Sequence, residues 1–236
     1  MRYESPLLPA RFIRREKRFS VLAVLDGPEG GGEVWAHCPN PGRLTSCLDR
    51  PGLPVFLSAI PEHPKNPGAN RFRTEQSSPL PDVRVGINPN RANLLALEVL
   101  PDLLPGWRHA GSEVPYGEKS RIDHLFEEGS GRRCFVEVKS VTYREGDRAL
   151  FPDAVSERAV RHLKEMVARV GEGSRALLLF VVQRDDCLEA GPADLVHPEY
   201  GVALRRAVKE GVEVRAMVFE PTPEGLFFRR ECPVVF

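Results

Sequence analysis

The run "ALLLFVV" at residues 176–182 constrains the fold more than any other stretch of the chain. Seven consecutive apolar residues are too many for a strand with one wet face. They read instead as the buried centre of a sheet covered on both sides. The neighbouring segments supply the cover. In "PDAVSERAVRHLKEMVARVGEG", Val155, Ala159, Leu163, Met166, Val167 and Val170 keep helical spacing, and Gly171 supplies the stop. "HPEYGVALRRAVKEG" reads as another helix and "VEVRAMVFE" as another strand. "NPNRANLLALEVL" opens on an Asn cap signal and is expected to be a helix ended by Pro101. Strands alternating with helices predict an α/β domain with a mixed sheet over residues 83–236.

Residues 17–60 have a different rhythm. "KRFSVLAVLDG", "EVWAHC" and "LPVFLSAI" are short strand-like runs separated by turn residues, as in a small barrel or sandwich. Residues 61–82, "PEHPKNPGANRFRTEQSSPLPD", are rich in proline and polar groups, which places a domain boundary at their end. The expected domains are therefore 1–82 and 83–236. No apolar stretch of about 18 residues is present, and "MRYESPLLPARF" lacks the pattern of a secretory leader. A cytoplasmic protein without a membrane partner is expected. Cys38, Cys47, Cys134, Cys187 and Cys232 show no CxxC spacing. His37, Cys38 and Cys47 read either as a partial metal site or as ordinary core residues.

"CFVEVKS", residues 134–140, breaks an apolar strand with two charges. Side chains alternate along a strand, so Glu137 and Lys139 share one face, about 6.6 Å apart, and Val136 and Val138 share the other. One turn earlier, "SRIDHLF" carries Asp123 within another strand-like run. If "EEGSGRR" closes a hairpin, Asp123 comes beside Glu137. Paired carboxylates repel and are costly to bury unless compensated. A hard cation such as Mg²⁺ or Mn²⁺ compensates them, using one or two carboxylates and leaving water and phosphate to complete its shell. With Lys139 facing the same cavity, the chemistry indicated is metal-assisted phosphodiester hydrolysis. The spacing is that of the PD-(D/E)xK nucleases. A surface ion pair on an edge strand is the plainer reading of Glu-x-Lys alone.

The blocks "VWAHCPNPGRL", "VGINPNRANLLALEVL", "YGEKSRIDHLF", "FVEVKSVTY", "ALFPDAVSERAVRHL" and "LLLFVVQRDD" together resemble the sugar fermentation stimulation protein (SfsA) family across almost the whole chain. The resemblance implies an N-terminal OB-like β-barrel joined to a PD-(D/E)xK nuclease-like mixed sheet flanked by helices, and an association with DNA. It makes Asp123, Glu137 and Lys139 the catalytic triad, with Asp123 and Glu137 as metal ligands. Glu98 is a further metal candidate, since related nucleases take a ligand from that helix; a solvated helix face is its plainer reading. Pro41 and Ser140 depart from the family wording.

The formal net charge is zero, which argues against a protein that coats nucleic acid through bulk positive charge. Residues 1–20 nevertheless carry six basic side chains against Glu4 and Glu16, and Arg14, Arg15, Lys17, Arg18, Arg71 and Arg73 are the candidate DNA contacts. Phe19, Trp35 and Phe72 are either stacking platforms for bases or core. Glu118 is a candidate lining of the cleft. Glu157, Arg158, Arg161 and His162 either reach the site or form a polar helix face laced by i, i+4 pairs. Two functions follow: a Mg²⁺- or Mn²⁺-dependent nuclease acting on DNA, or a non-catalytic DNA-binding regulator of sugar metabolism on a nuclease-like scaffold. A homodimer is the default expectation for assembly.

Overall fold

A computed structural model of the chain describes residues 1–27, 31–61, 71–116 and 120–236. The N-terminal strands are β1 (Leu8–Glu16), β2 (Ser20–Leu25), β3 (Glu33–His37), β4 (Pro54–Ala59), β5 (Phe72–Leu80) and β6 (Val83–Gly86). They run in the order β3-β2-β1-β4-β5-β6. β3 pairs back onto β5 through Ala36–Phe72 and His37–Arg73, closing a five-stranded barrel and removing its free edges. Ala10, Phe12, Val21, Ala23, Val55 and Leu57 fill the interior.

Two barrel strands are hidden in the sequence by their polarity. β1 carries three arginines, yet Ala10 and Phe12 alternate inward. β5 lies within the stretch expected to be a linker, and its Thr74, Glu75, Gln76 and Ser77 are fully buried. Glu75 and Gln76 are satisfied from outside the strand, whereas Thr74 Oγ1 and Ser77 Oγ have no hydrogen-bond partner among the described residues. Glu75 accepts from Arg91 Nη2 (2.8 Å), Asn88 Nδ2 (2.9 Å) and Ser58 Oγ (2.9 Å). Gln76 Nε2 donates to Tyr3 Oη (2.9 Å) and to the Thr222 carbonyl (2.8 Å). The β5–β6 hairpin crosses residue 82, so the barrel sheet continues to Gly86, past the boundary read from composition.

The second half contains α1 (Ala92–Leu103), β7 (Arg108–Pro115), β8 (Arg121–Glu127), β9 (Arg133–Val141), β10 (Tyr143–Glu145), β11 (Arg148–Phe151), α2 (Glu157–Gly171), β12 (Arg175–Val182), β13 (Glu189–Pro192), α3 (Pro198–Lys209), β14 (Glu213–Thr222) and β15 (Gly225–Cys232). The large sheet has the order β15-β14-β12-β9-β8-β7. β12, the all-apolar run, is central and parallel to both β9 and β14. α1 covers one face of the sheet, and α2 and α3 cover the other. α1 runs on through Pro101, which removes the amide that would donate to the Leu97 carbonyl, and the helix ends two residues later at Leu103. Ser156 caps α2 by accepting from the Ala159 amide (3.3 Å), as capping chemistry favours. None of the described helices is long and apolar enough to cross a membrane.

The barrel is bolted to the large sheet through the loop after β3. Arg184, 1% exposed, forms a two-point pair with Asp186 (2.6 and 2.8 Å) and donates to the Thr142 carbonyl (2.8 Å) and to Ser46 Oγ (3.2 Å). Ser46 Oγ in turn accepts from the Arg144 amide (2.9 Å). Removing one partner of a buried pair leaves the other uncompensated. Arg184→Met should therefore lower folding stability by about 3–5 kcal/mol, measured by urea denaturation; a loss below about 1 kcal/mol would show that the network is not a tether.

Candidate active site

Strand β9 is amphipathic across its two faces. Cys134, Val136 and Val138 join Leu95, Ala96 and Val99 of α1 in one apolar cluster. Glu137 and Lys139 take the opposite face, toward α2. β8 and β9 form the expected antiparallel hairpin, with a ladder running from Glu127–Arg133 to His124–Val136. Just beyond it, Asp123 Oδ2 accepts from the Val138 amide (2.7 Å) and Oδ1 from Asn93 Nδ2 of α1 (3.2 Å). The hairpin thus brings Asp123 next to Glu137.

Glu137 is 3% exposed. Its Oε1 accepts from Lys139 Nζ (2.6 Å) and meets His162 Nδ1 (2.5 Å). Arg158 Nε donates to His162 Nε2 (3.2 Å), so the ring proton lies on Nδ1 and is donated to Glu137. The other oxygen, Oε2, is buried and has no hydrogen-bond partner. The two carboxylates respond differently to burial. Asp123 is pushed up to about 6, first by desolvation and then by the charge of Glu137. Desolvation also opposes ionisation of Glu137, but the Lys139 ammonium and the His162 hydrogen bond outweigh it and hold the group below its ordinary value. One carboxylate is kept charged and its neighbour is poised.

Both groups line a cleft of about 580 Å³ whose walls come from both halves of the chain. Arg18 and the loop Pro39–Gly42 of the barrel form one side, and residues 150–156 with Arg158 form another. Asn93 and Lys139 also line it. Ser140, where the chain departs from the family wording, accepts from Gln183 Nε2 (2.7 Å).

Glu98 is not part of this cluster. Its carboxylate is exposed on α1 and pairs with the Met1 ammonium (2.6 Å); Asn93, from the first turn of the same helix, occupies the place beside Asp123. Among the described residues no group of three His, Cys, Asp or Glu side chains is arranged to hold a metal. His37, Cys38 and Cys47 accordingly form no such site, and both thiols are buried. Glu118 lies outside the described residues.

The basic candidates do not share one surface. Arg14 pairs with Glu16 (2.8 Å) and lies over the Trp35 ring. Arg15 donates to the backbone carbonyls of Arg18 (2.6 Å), Gly42 (2.8 Å) and Asn40. Lys17 and Arg18 adopt left-handed backbone (φ 46° and 64°) in the β1–β2 turn, and Arg18 reaches the cleft. Arg73 lines a separate hollow with Arg91; Arg71 is exposed just before β5. Phe19 and Trp35 are exposed, whereas Phe72 packs on the barrel core. Of the four α2 candidates, Arg158 reaches the cleft and His162 lies beneath Glu137. Glu157 and Arg161 are exposed and line no part of the cleft. His162 is the functional residue that sequence reasoning undervalued. Its signal was the i, i+4 spacing from Arg158 on a strongly amphipathic helix.

An OB barrel followed by a mixed sheet flanked by helices, with Asp and Glu-x-Lys side by side on adjacent strands, defines a two-domain protein with a restriction-endonuclease-like fold in its second half. Residues 13–74 match the model of the SfsA N-terminal OB domain, and residues 88–225 match that of the sugar fermentation stimulation protein RE domain. The chain belongs to the sugar fermentation stimulation protein family. It is 40% identical over 234 residues to the sugar fermentation stimulation protein homolog of Pelobacter propionicus, covering 98% of both chains. It is 41% identical over 240 residues to the homolog of Geobacter metallireducens, covering 100% of both. The solved structure of Pyrococcus furiosus SfsA in complex with Ca²⁺ matches with a TM-score of 0.86 at 29% identity, covering 100% of this chain and 98% of that one.

The carboxylate pair leaves a pH signature in the metal-free protein. Asp123 ionises near 6 when folded and near 3.8 when unfolded. Between those values the folded state holds the extra proton, so this contribution to stability is full below about 4 and is lost as pH rises through about 6. Asp123→Asn stays neutral throughout. In EDTA, by urea denaturation, the variant should exceed the wild type by on the order of 1–2 kcal/mol at pH 8 relative to their difference at pH 4. A difference independent of pH would refute the raised ionisation of Asp123 by burial and by the neighbouring Glu137.

Proposed function

We propose that this chain is a divalent-metal-dependent nuclease acting on nucleic acid held between its barrel and its sheet. The observation that carries the reading is Glu137 Oε2: a buried carboxylate oxygen without a partner, beside an Asp123 whose ionisation is opposed by the same crowding. Unpaired buried anionic oxygens are costly, and a hard cation removes the cost. One or two carboxylates are the usual protein share of a Mg²⁺ shell. The Pyrococcus furiosus relative was solved in complex with Ca²⁺, another hard, oxygen-seeking cation, which supports a divalent-metal reading of this chain.

Asp123 and Glu137 are the ligands in this reading. When bound, Mg²⁺ or Mn²⁺ would polarise the phosphoryl group and acidify a water. The chain does the rest. Lys139, 2.6 Å from Glu137 Oε1, donates to the attacking water and neutralises charge that develops on the phosphate oxygens. His162 fixes the Glu137 carboxylate through Oε1 and leaves Oε2 free as a ligand. Arg158 holds the imidazole in the tautomer that does so and presents positive charge to the cleft.

Calorimetry with Mn²⁺ and a cleavage assay on labelled DNA test this reading together. Asp123→Asn should lose Mn²⁺ binding. Lys139→Ala should keep Mn²⁺ binding and lose at least about a hundredfold in cleavage rate, the scale of removing one charge-stabilising donor. Equal Mn²⁺ affinity in wild type and Asp123→Asn would sink the metal assignment. DNA binding without cleavage under either metal would favour the non-catalytic DNA-binding regulator.

A further inference from the structure

The cleft does not end at the carboxylates. A second hollow of about 380 Å³ is lined by Arg15, Arg18, Pro41, Gly42, Arg43, Ala154 and Val155, and all of these except Arg15 and Arg43 also line the cleft. The two are therefore one trough. No residue lining the outer part is acidic. Arg15 spends its guanidinium on three barrel carbonyls, which joins the β1–β2 turn to the loop after β3. Arg18 and Arg43 are both exposed and form no ion pair or side-chain hydrogen bond among the described residues. The trough thus leads outward from Lys139 and Arg158 to two free, fork-shaped donors suited to phosphate.

The wall that carries these arginines is fixed. Leu44 N–H donates to Asp153 Oδ2 (2.9 Å). The Asn40 side chain accepts from the Gly42 amide (2.8 Å) and donates to the Ile87 carbonyl (3.2 Å). A Cβ at residue 42 would collide with the Asp153 carboxylate, so only glycine lets the barrel loop approach the opposite wall this closely. At the floor, Glu137 is 3% exposed. The recessed floor, the walls touching at Asp153 and the single file of donors from Lys139 to Arg43 match one extended strand better than two paired ones. A duplex would have to bring its second strand into the same space.

We propose that the trough is a binding site for a single nucleic-acid strand: the reacting phosphodiester lies over Asp123, Glu137 and Lys139, and the phosphates beyond it are gripped by Arg18 and Arg43 of the barrel. This deepens the nuclease reading and rests on it for the identity of the reacting group, but the strand contact is measurable without metal or cleavage. Arg15 is a positioning residue that sets the geometry of the grip. Arg14, Arg71 and Arg73 lie outside it.

The test is fluorescence anisotropy in EDTA on the full chain, with labelled oligothymidine, oligouridine and a blunt DNA duplex, across about 50–200 mM salt. At least one single-stranded probe should bind tenfold or more tightly than the duplex. Arg18→Ala/Arg43→Ala should weaken that binding at least tenfold and reduce the slope of log K against log salt by roughly 1.4, two phosphates at about 0.7 each on a single strand. Its melting temperature should match the wild type. Arg14→Ala/Arg73→Ala removes the same charge elsewhere and should bind as the wild type does. A duplex bound as tightly as either strand, a double variant at positions 18 and 43 that binds normally, or an equal loss in the control pair would each overturn the proposal. These outcomes are independent of whether Asp123→Asn loses Mn²⁺, so the strand site and the metal site fail separately.

Discussion

Two carboxylates share the end of a hairpin inside an apolar sheet, and much of the surrounding structure answers that problem. Taking a carboxylate out of water costs several kcal/mol unless charge and hydrogen bonds replace the solvent. Glu137 receives both from Lys139 and His162. Asp123 receives a backbone amide and an Asn side chain instead, which leaves its ionisation opposed. The asymmetry follows from where the donors sit. Lys139 is two residues along the same strand and His162 is on the helix that packs over it, so both can converge on Glu137. α1 offers Asp123 only the neutral Asn93.

The barrel answers a different constraint. A β-strand as polar as β5 does not belong at the centre of a barrel unless its side chains are satisfied elsewhere. Here the satisfaction comes largely from the second domain and its approach: Arg91 and Asn88 lead into α1, and Thr222 ends β14. The buried polar strand is therefore a docking surface. Together with Arg184 and Asp153 it fixes the barrel loop against the sheet, so the cleft has a wall that neither domain could build alone.

This division explains what the sequence revealed. β12 and α2 were legible because each buries its apolar residues within one period and answers to local physics. The Asp123–Glu137 proximity was legible because a hairpin converts sequence spacing into contact. β1 and β5 were not: the arginines of β1 mask its inward Ala10 and Phe12 by facing the opposite side, and the buried Gln76 of β5 is explained by Tyr3 and Thr222, far along the chain. Glu98 stands apart from the cluster for a related reason. It lies on the helix that packs beside Asp123 but on an exposed face, and Asn93 of the same helix is the residue that meets Asp123. His162 was undervalued because burial of a helical histidine depends on what the opposing strand presents, here a carboxylate.

Net charge offers a last contrast between composition and arrangement. The chain is formally neutral and rich in arginine, and neither fact describes its capacity to hold a polyanion. Screening limits exposed charges to a reach of about 8–10 Å at ordinary salt, so what matters is which guanidinium groups are uncommitted near one another. On the C-terminal sheet and α3, arginines are consumed in pairs with carboxylates: Arg175 with Glu213, Arg215 with Glu231, Arg205 with Asp194. Such pairs cancel locally and leave little field beyond the surface. Among the described residues Arg18 and Arg43 are not consumed, and they stand beside a cleft whose floor already carries Lys139. A neutral protein can thus present a short, directional run of positive charge, provided its acids are spent elsewhere and its free arginines are held on a rigid loop.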